Sequence, residues 1–252
     1  MTDSAAPEET FISHLVELRD RLVKASIGIA IVCAALMFWP GPAHVYDIIA
    51  APMLNALPVG SKMIATGVIA PFLVPMKVTL LIAFILSLPW VFYQIWAFVA
   101  PGLYAHEKRL VLPLVISSSL LFIAGVAFCY FFVFGRVFAF IGEFAPTSIA
   151  VMPDIENYLD FVMSMCLAFG ATFEVPVVVV ILVRMGIVSV EKLKSIRPYA
   201  IVGAFVIAAI VTPPDVVSQF SLALPMWFLF ELGLLLAPMF VKMTQAPEEP
   251  VK

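Results

Sequence analysis

Between Leu110 and Gly135 the chain runs 26 residues without one charged side chain. A helix rises about 1.5 Å per residue, so such a run is long enough to cross a hydrocarbon core about 30 Å thick. Five further apolar runs follow the same pattern, at Ala25–Trp39, Val78–Ala100, Phe161–Val183, Tyr199–Pro214 and Val216–Phe230. The first and last lengthen when Leu22–Lys24 or Leu232–Pro238 are added, because a terminal lysine can carry its ammonium to the interface. Only 12% of the 252 residues are charged and mean hydropathy is +1.09. A water-soluble domain carries about a quarter charged residues, so these charges suffice only to cap the ends of helices in lipid.

The expected architecture is therefore an all-α polytopic membrane protein with six transmembrane helices in one domain. The spans fall at about 22–39, 76–100, 110–135, 158–183, 199–212 and 216–237, after an amphipathic helix over 1–21 and before a tail over 238–252. Six spans put both termini on one side. With that side taken as cytoplasmic, the inner segments hold eleven basic residues, Arg19, Arg21, Lys24, Lys108, Arg109, Arg184, Lys192, Lys194, Arg197, Lys242 and Lys252. The outer segments hold three, Lys62, Lys77 and Arg136. The asymmetry orients the termini toward the cytoplasm.

Two spans look short. Tyr199–Thr212 lies between Pro198 and Pro213, and the sixth run has about 15 residues between Asp215 and Glu231, interrupted by Pro225. Short adjacent spans imply a thinned bilayer or a docked partner. Residues 40–71, with five prolines, suit a compact outer cap, and 136–156 form a second sizeable outer loop. The Pro213-Pro214-Asp215 turn is very tight.

Composition excludes several function classes. A net charge of −3 does not suit nucleic acid. Cys33, Cys129 and Cys166 are far apart inside apolar runs, which predicts small buried hydrophobes rather than a metal or disulfide framework. The acidic N-terminus lacks the pattern of a cleaved signal peptide. No G-x-S-x-G elbow is present, and Leu110 stands where a zinc-protease helix beginning at His106-Glu107 needs its second histidine. Neither a catalytic centre nor a cofactor is expected.

A few polar residues stand out. Phe11, Ile12, Leu15, Leu18 and Leu22 share one helical face, read as a helix lying on the membrane surface or as a docking helix that presents Glu17. Glu17 and Arg21 are four apart, the spacing of a surface ion pair. Glu107 sits in the inner loop among Lys108 and Arg109. Glu174 is the fourteenth of 23 residues in Phe161–Val183, near mid-membrane and two before Pro176. A carboxylate there costs at least about 2.5 kcal/mol unless protonated, hydrated or paired. Glu231 raises the same question nearer a helix end.

These residues fall into strings that resemble the TatC family of the twin-arginine (Sec-independent) protein translocase. The strings are His14-Leu-Val-Glu17-Leu-Arg19, Ala51-Pro52, Gln94-Ile-Trp-Ala-Phe98-Val-Ala-Pro101 and His106-Glu107. They continue with Phe173-Glu174-Val-Pro176, Arg197-Pro-Tyr199 with Gly203-Ala-Phe205, and Thr212-Pro-Pro-Asp215 with Gln219. They run in family order from residue 11 to about 240.

The resemblance implies a cup-shaped six-helix bundle in the cytoplasmic (inner) membrane of a prokaryote. It implies a subunit without enzymatic activity that binds twin-arginine signal peptides of folded proteins, with export driven by the proton-motive force. Glu17 and Glu107 would face the arginine pair, with Arg19 and Phe98 beside them. Glu174 would be the intramembrane polar position, Thr212 and Gln219 the docking positions for TatA or TatB helices, and Pro52 and Asp215 the outer-loop positions. A homo-oligomer within the receptor complex is implied too. Ala105 departs from the family, whose members often carry a basic residue there. The competing class is a small-molecule or proton-coupled transporter, which would show matching broken helices in two repeated halves; no such repeat is evident.

Overall fold

The computed structural model describes residues 5–56, 62–99, 111–144, 152–212 and 215–242. The described chain is helical almost throughout; its one β-bridge pairs Ile64 with Asp154 in parallel. The chain divides into two compact units, residues 1–50 with 66–119, and 51–65 with 120–252.

In the first unit, α1 (Ala5–Phe38) is one unbroken helix of 34 residues. At about 1.5 Å per residue it is ~51 Å long, well beyond the hydrocarbon thickness. Residues 5–21 are therefore not a separate helix but the start of α1. Gly41, at φ +93°, turns the chain into α2 (Pro42–Ala56). Part of the proline-rich segment over 40–71 is thus helical, and Pro52 lies inside that helix rather than in a loop. The second apolar run forms two helices, α3 (Ala70–Leu86) and α4 (Leu88–Val99), bent by 56° at Ser87. Pro89 lacks the N–H that would continue the ladder across this break. α3 and α4 both pack on α1.

α5 (Val111–Phe128) passes from the first unit into the second, where a π-helical turn, Cys129–Val133, leads into α6 (Phe134–Phe144). The expected outer loop over 136–156 is therefore helical to Phe144. Rings explain the extension: Phe138 stacks on Phe134 at 5.6 Å and meets Tyr158 and Phe161 of the next helix at 5.7 and 5.8 Å. That helix, α7 (Ile155–Phe173), starts where Asp154 accepts the N–H groups of Glu156 and Asn157 as an N-cap. α8 (Val175–Arg184) continues it past a break at Glu174.

α9 (Val190–Ser195) is short, with Leu193 buried among Val179, Val183, Leu234 and Ala237. α10 (Arg197–Val211) has 15 residues, as short as its flanking prolines predict. The sixth run is not short. α11 (Val216–Lys242) holds 27 residues and continues through Pro225, Glu231 and Pro238. It packs against α8 and α10 along its length, and Arg197 neutralises Glu231 across a 2.7 Å ion pair.

Among the described residues four helices are long and apolar enough to cross a membrane, the bent α3–α4 pair is a fifth candidate, and α10 is a shorter apolar helix. Among the described residues each predicted apolar run is helical over most of its length. Cys129 and Cys166 are buried and Cys33 is half-buried, as small hydrophobes in apolar runs should be.

Candidate functional site

Glu17 is the thirteenth residue of α1. Arg21, one turn on, donates from Nε at 3.0 Å and from Nη2 at 2.7 Å, and both bonds fall on Oε1. The pair is half-buried and follows the predicted i,i+4 spacing. Three residues before Glu17, and so on the same face, His14 stacks on Phe98 of α4 with ring centroids 4.7 Å apart and planes 28° apart. A carboxylate, an imidazole and a phenyl ring thereby share one patch of the first unit.

Arg19 points elsewhere. It is exposed and donates twice to Asp20, at 3.0 and 2.8 Å. Glu107 lies outside the described residues, as does Ala105. The contribution of His14 was missed as a site feature, because its ring partner is 84 residues away and no periodicity links α1 to α4. The sequence did hold a signal, the paired aromatic and imidazole in two of the quoted strings.

α4 is fixed at three points. Trp96 Nε1 donates to Ser118 Oγ at 3.2 Å. Trp90 Nε1 donates to the Lys24 carbonyl at 2.8 Å. Phe98 meets His14 as described. The polar Gln94 of the same helix is buried.

The second unit holds the remaining polar candidates. Glu174 caps α7 and precedes α8, half-buried, with φ −76° and ψ −15°. Its N–H bonds the Ala171 carbonyl at 3.1 Å and its carbonyl accepts from Val178 at 3.0 Å, so the kink costs the backbone little. Pro176 follows at the start of α8 and packs against Gly233 of α11, where an added Cβ would lie 3.0 Å from Pro176 Cα.

Thr212 ends α10 and is buried, its hydroxyl donating to the Ala208 carbonyl at 2.8 Å. Asp215 is the N-cap of α11, accepting from Ser218 N–H at 2.7 Å. Gln219 is half-buried one turn later. Phe205 and Phe220 meet edge to face at 5.1 Å and join these two helix ends. Pro213 and Pro214 fall outside the described residues.

Among the described residues no group of three or more His, Cys, Asp or Glu could hold a metal ion. The polar positions above lie on the helices that match a known family. Residues 13–225 match the family described as Sec-independent protein translocase protein (TatC). The chain belongs to the TatC family.

It is 47% identical to Sec-independent protein translocase protein TatC of Escherichia coli (strain K12) over 246 residues, 98% of this chain and 95% of that one. It is 50% identical to the TatC protein of Azotobacter chroococcum mcd 1 over 222 residues, 88% of this chain and 86% of that one. A crystal structure of a twin-arginine translocase receptor, TatC, superposes with a TM-score of 0.78 at 36% identity. That match covers 90% of this chain and 98% of the solved one. Membership makes the chain a multi-pass membrane subunit of the twin-arginine protein translocase, a protein-transport component and not an enzyme.

Proposed function

We propose that the chain is the subunit that reads twin-arginine signal peptides of folded proteins, at the patch built by Glu17, His14 and Phe98. Glu107 of the inner loop supplies the second carboxylate, with Arg19 two residues from Glu17 on α1. The termini and this patch face the cytoplasm, as the eleven-to-three basic asymmetry indicates.

The single observation that carries the reading is the Glu17 carboxylate beside the His14–Phe98 stack, with both Arg21 bonds falling on Oε1. A guanidinium arriving from a peptide can bond Oε2 or displace Arg21, because a half-exposed ion pair is worth only about 0–1 kcal/mol. Its flat face can lie on the aromatic ring. Lysine offers a point charge and no fork, so it loses the second bond.

The chemistry after binding is mechanical, not covalent. Unlike charges at 4 Å near a surface attract by about 4 kcal/mol, of which about 1–3 kcal/mol per charge-assisted bond survives desolvation and ordering. Each carboxylate therefore contributes about tenfold in affinity. The ends of α10 and α11 receive the single helices of TatA or TatB, with Gln219 reaching the partner and buried Thr212 shaping the end of α10. The chain thereby acts as platform as well as receptor, as a homo-oligomer in the receptor complex, and the proton-motive force drives export.

The test is binding of a twin-arginine peptide and its twin-lysine version to the solubilised chain. Wild type should prefer arginine, and Glu17→Arg or Glu107→Arg should lose about tenfold or more while the fold survives. Equal binding by wild type and both variants would remove these residues from the recognition surface.

A further inference from the structure

The break at Ser87 sets α4 at 56° to α3, and the exact direction of α4 also depends on what it packs against. From Ser87 to Phe98 the helix extends eleven residues, about 16 Å, so a tilt of ~10° moves Phe98 by ~3 Å. That displacement is enough to separate rings stacked at 4.7 Å.

Nearest the break, α4 is fastened to α1 by one device. The Cδ1–Nε1 edge of Trp90 sits against Gly28: an added Cβ at Gly28 would stand 2.4 Å from Cδ1 and 2.7 Å from Nε1 of the indole. The same indole donates to the Lys24 carbonyl, one turn before Gly28, at 2.8 Å. Only glycine leaves room for the ring to reach that carbonyl. Beside it runs an apolar groove of about 480 Å³ whose walls include Ile27, Ile31, Leu86 and Pro89. A displaced ring can turn into this space, so removing the fastening need not unfold the unit.

We propose that Gly28 and Trp90 are positioning residues for signal-peptide recognition, setting the angle at which α4 presents Phe98 to His14 and Glu17. This rests on the recognition reading above. Neither residue touches the peptide; both act through the direction of α4.

The test uses the full chain in detergent with its three cysteines replaced. A short thiol crosslinker joins H14C to F98C and reports the α1–α4 geometry. Peptide binding, measured without those two changes, reports arginine-over-lysine preference. Gly28→Ala displaces the ring, and Trp90→Phe keeps a ring but deletes the donor. In both, crosslinking should fall and the arginine preference should drop about fivefold or more, with an unchanged thermal midpoint.

Unchanged crosslinking in both variants overturns the proposal. So does an unchanged arginine preference in both while Glu17→Arg abolishes binding, which would leave the recognition reading standing. Wild-type binding by Glu17→Arg would instead sink the recognition reading, and the positioning role with it.

Discussion

Gly125 of α5 faces the backbone of α7, and replacing it with alanine should open the second unit. An added Cβ would lie 2.5 Å from the Phe169 carbonyl oxygen and 2.9 Å from the Phe173 ring. A main-chain oxygen cannot rotate away, so relief needs the helices to part by about 0.5–1 Å, which forfeits a quarter to a half of each dispersion contact across the seam. Those contacts include Phe128 on Phe169 at 5.8 Å and on Phe173 at 5.9 Å. Overpacking of this kind costs about 1–3 kcal/mol, and the helix propensity gained by replacing glycine returns up to about 1 kcal/mol. The net loss is ~0–2 kcal/mol, up to roughly 8 °C in thermal midpoint for a chain of this size. Gly203→Ala is the control: nothing lies within 4 Å of its added Cβ, so only the propensity gain remains. Thermal unfolding in detergent decides the matter. Equal midpoints for the two variants would refute the argument that backbone proximity at Gly125 sets the seam.

Three further outcomes are expected. Glu174→Gln keeps the shape of the kink and removes the titration; it should fold normally and reduce export, and unchanged export would make Glu174 a packing residue. A cysteine at Gln219 should crosslink to a single-span TatA or TatB helix; crosslinks confined to α5 would move the docking site away from α11. Reporter fusions at Lys62 and Ser148 should read outside and those at His106 and Lys192 inside, and a cytoplasmic reading at 148 would break the six-span topology.

The six apolar runs were legible because lipid leaves a chain almost no alternative to helix once charge is absent over 15 or more residues. What the sequence concealed was where helices continue through unfavourable residues. Pro225 read as an interruption, yet α11 passes it, because packing on α8 and α10 outweighs the lost N–H. Glu231 read as a span end, and Arg197, 34 residues away, allows the helix to run past it. Pro52 read as loop and lies in a helix for a similar reason: Val45, Ile49 and Ala50 of α2 are buried, so tertiary burial decides. At the proposed recognition surface the Glu17–Arg21 ion pair was legible from spacing alone. The Phe98–His14 stack depends on the bend at Ser87, which is a tertiary outcome.

The breaks themselves follow one rule. A helix interruption in lipid frees backbone groups with no water to receive them, at a cost of several kcal/mol per unsatisfied group. At Ser87 the N–H bonds both Ala83 and Phe84 carbonyls, at 3.0 and 3.1 Å, and the hydroxyl donates to the Ala83 carbonyl at 2.7 Å. At Glu174 the N–H turns to Ala171 and the carbonyl receives Val178. At the π-helical turn the Phe134 N–H reaches back five residues to the Cys129 carbonyl. The groups named at each break are paired locally, so these are stable joints and not defects. A stable joint can hold a side chain at an angle that a straight helix cannot reach. Ser87 directs α4 and its Phe98 toward α1, and Glu174 lets α8 lie along α11 while α7 keeps to α5. The function proposed for Phe98 therefore depends on a serine eleven residues away that no peptide touches.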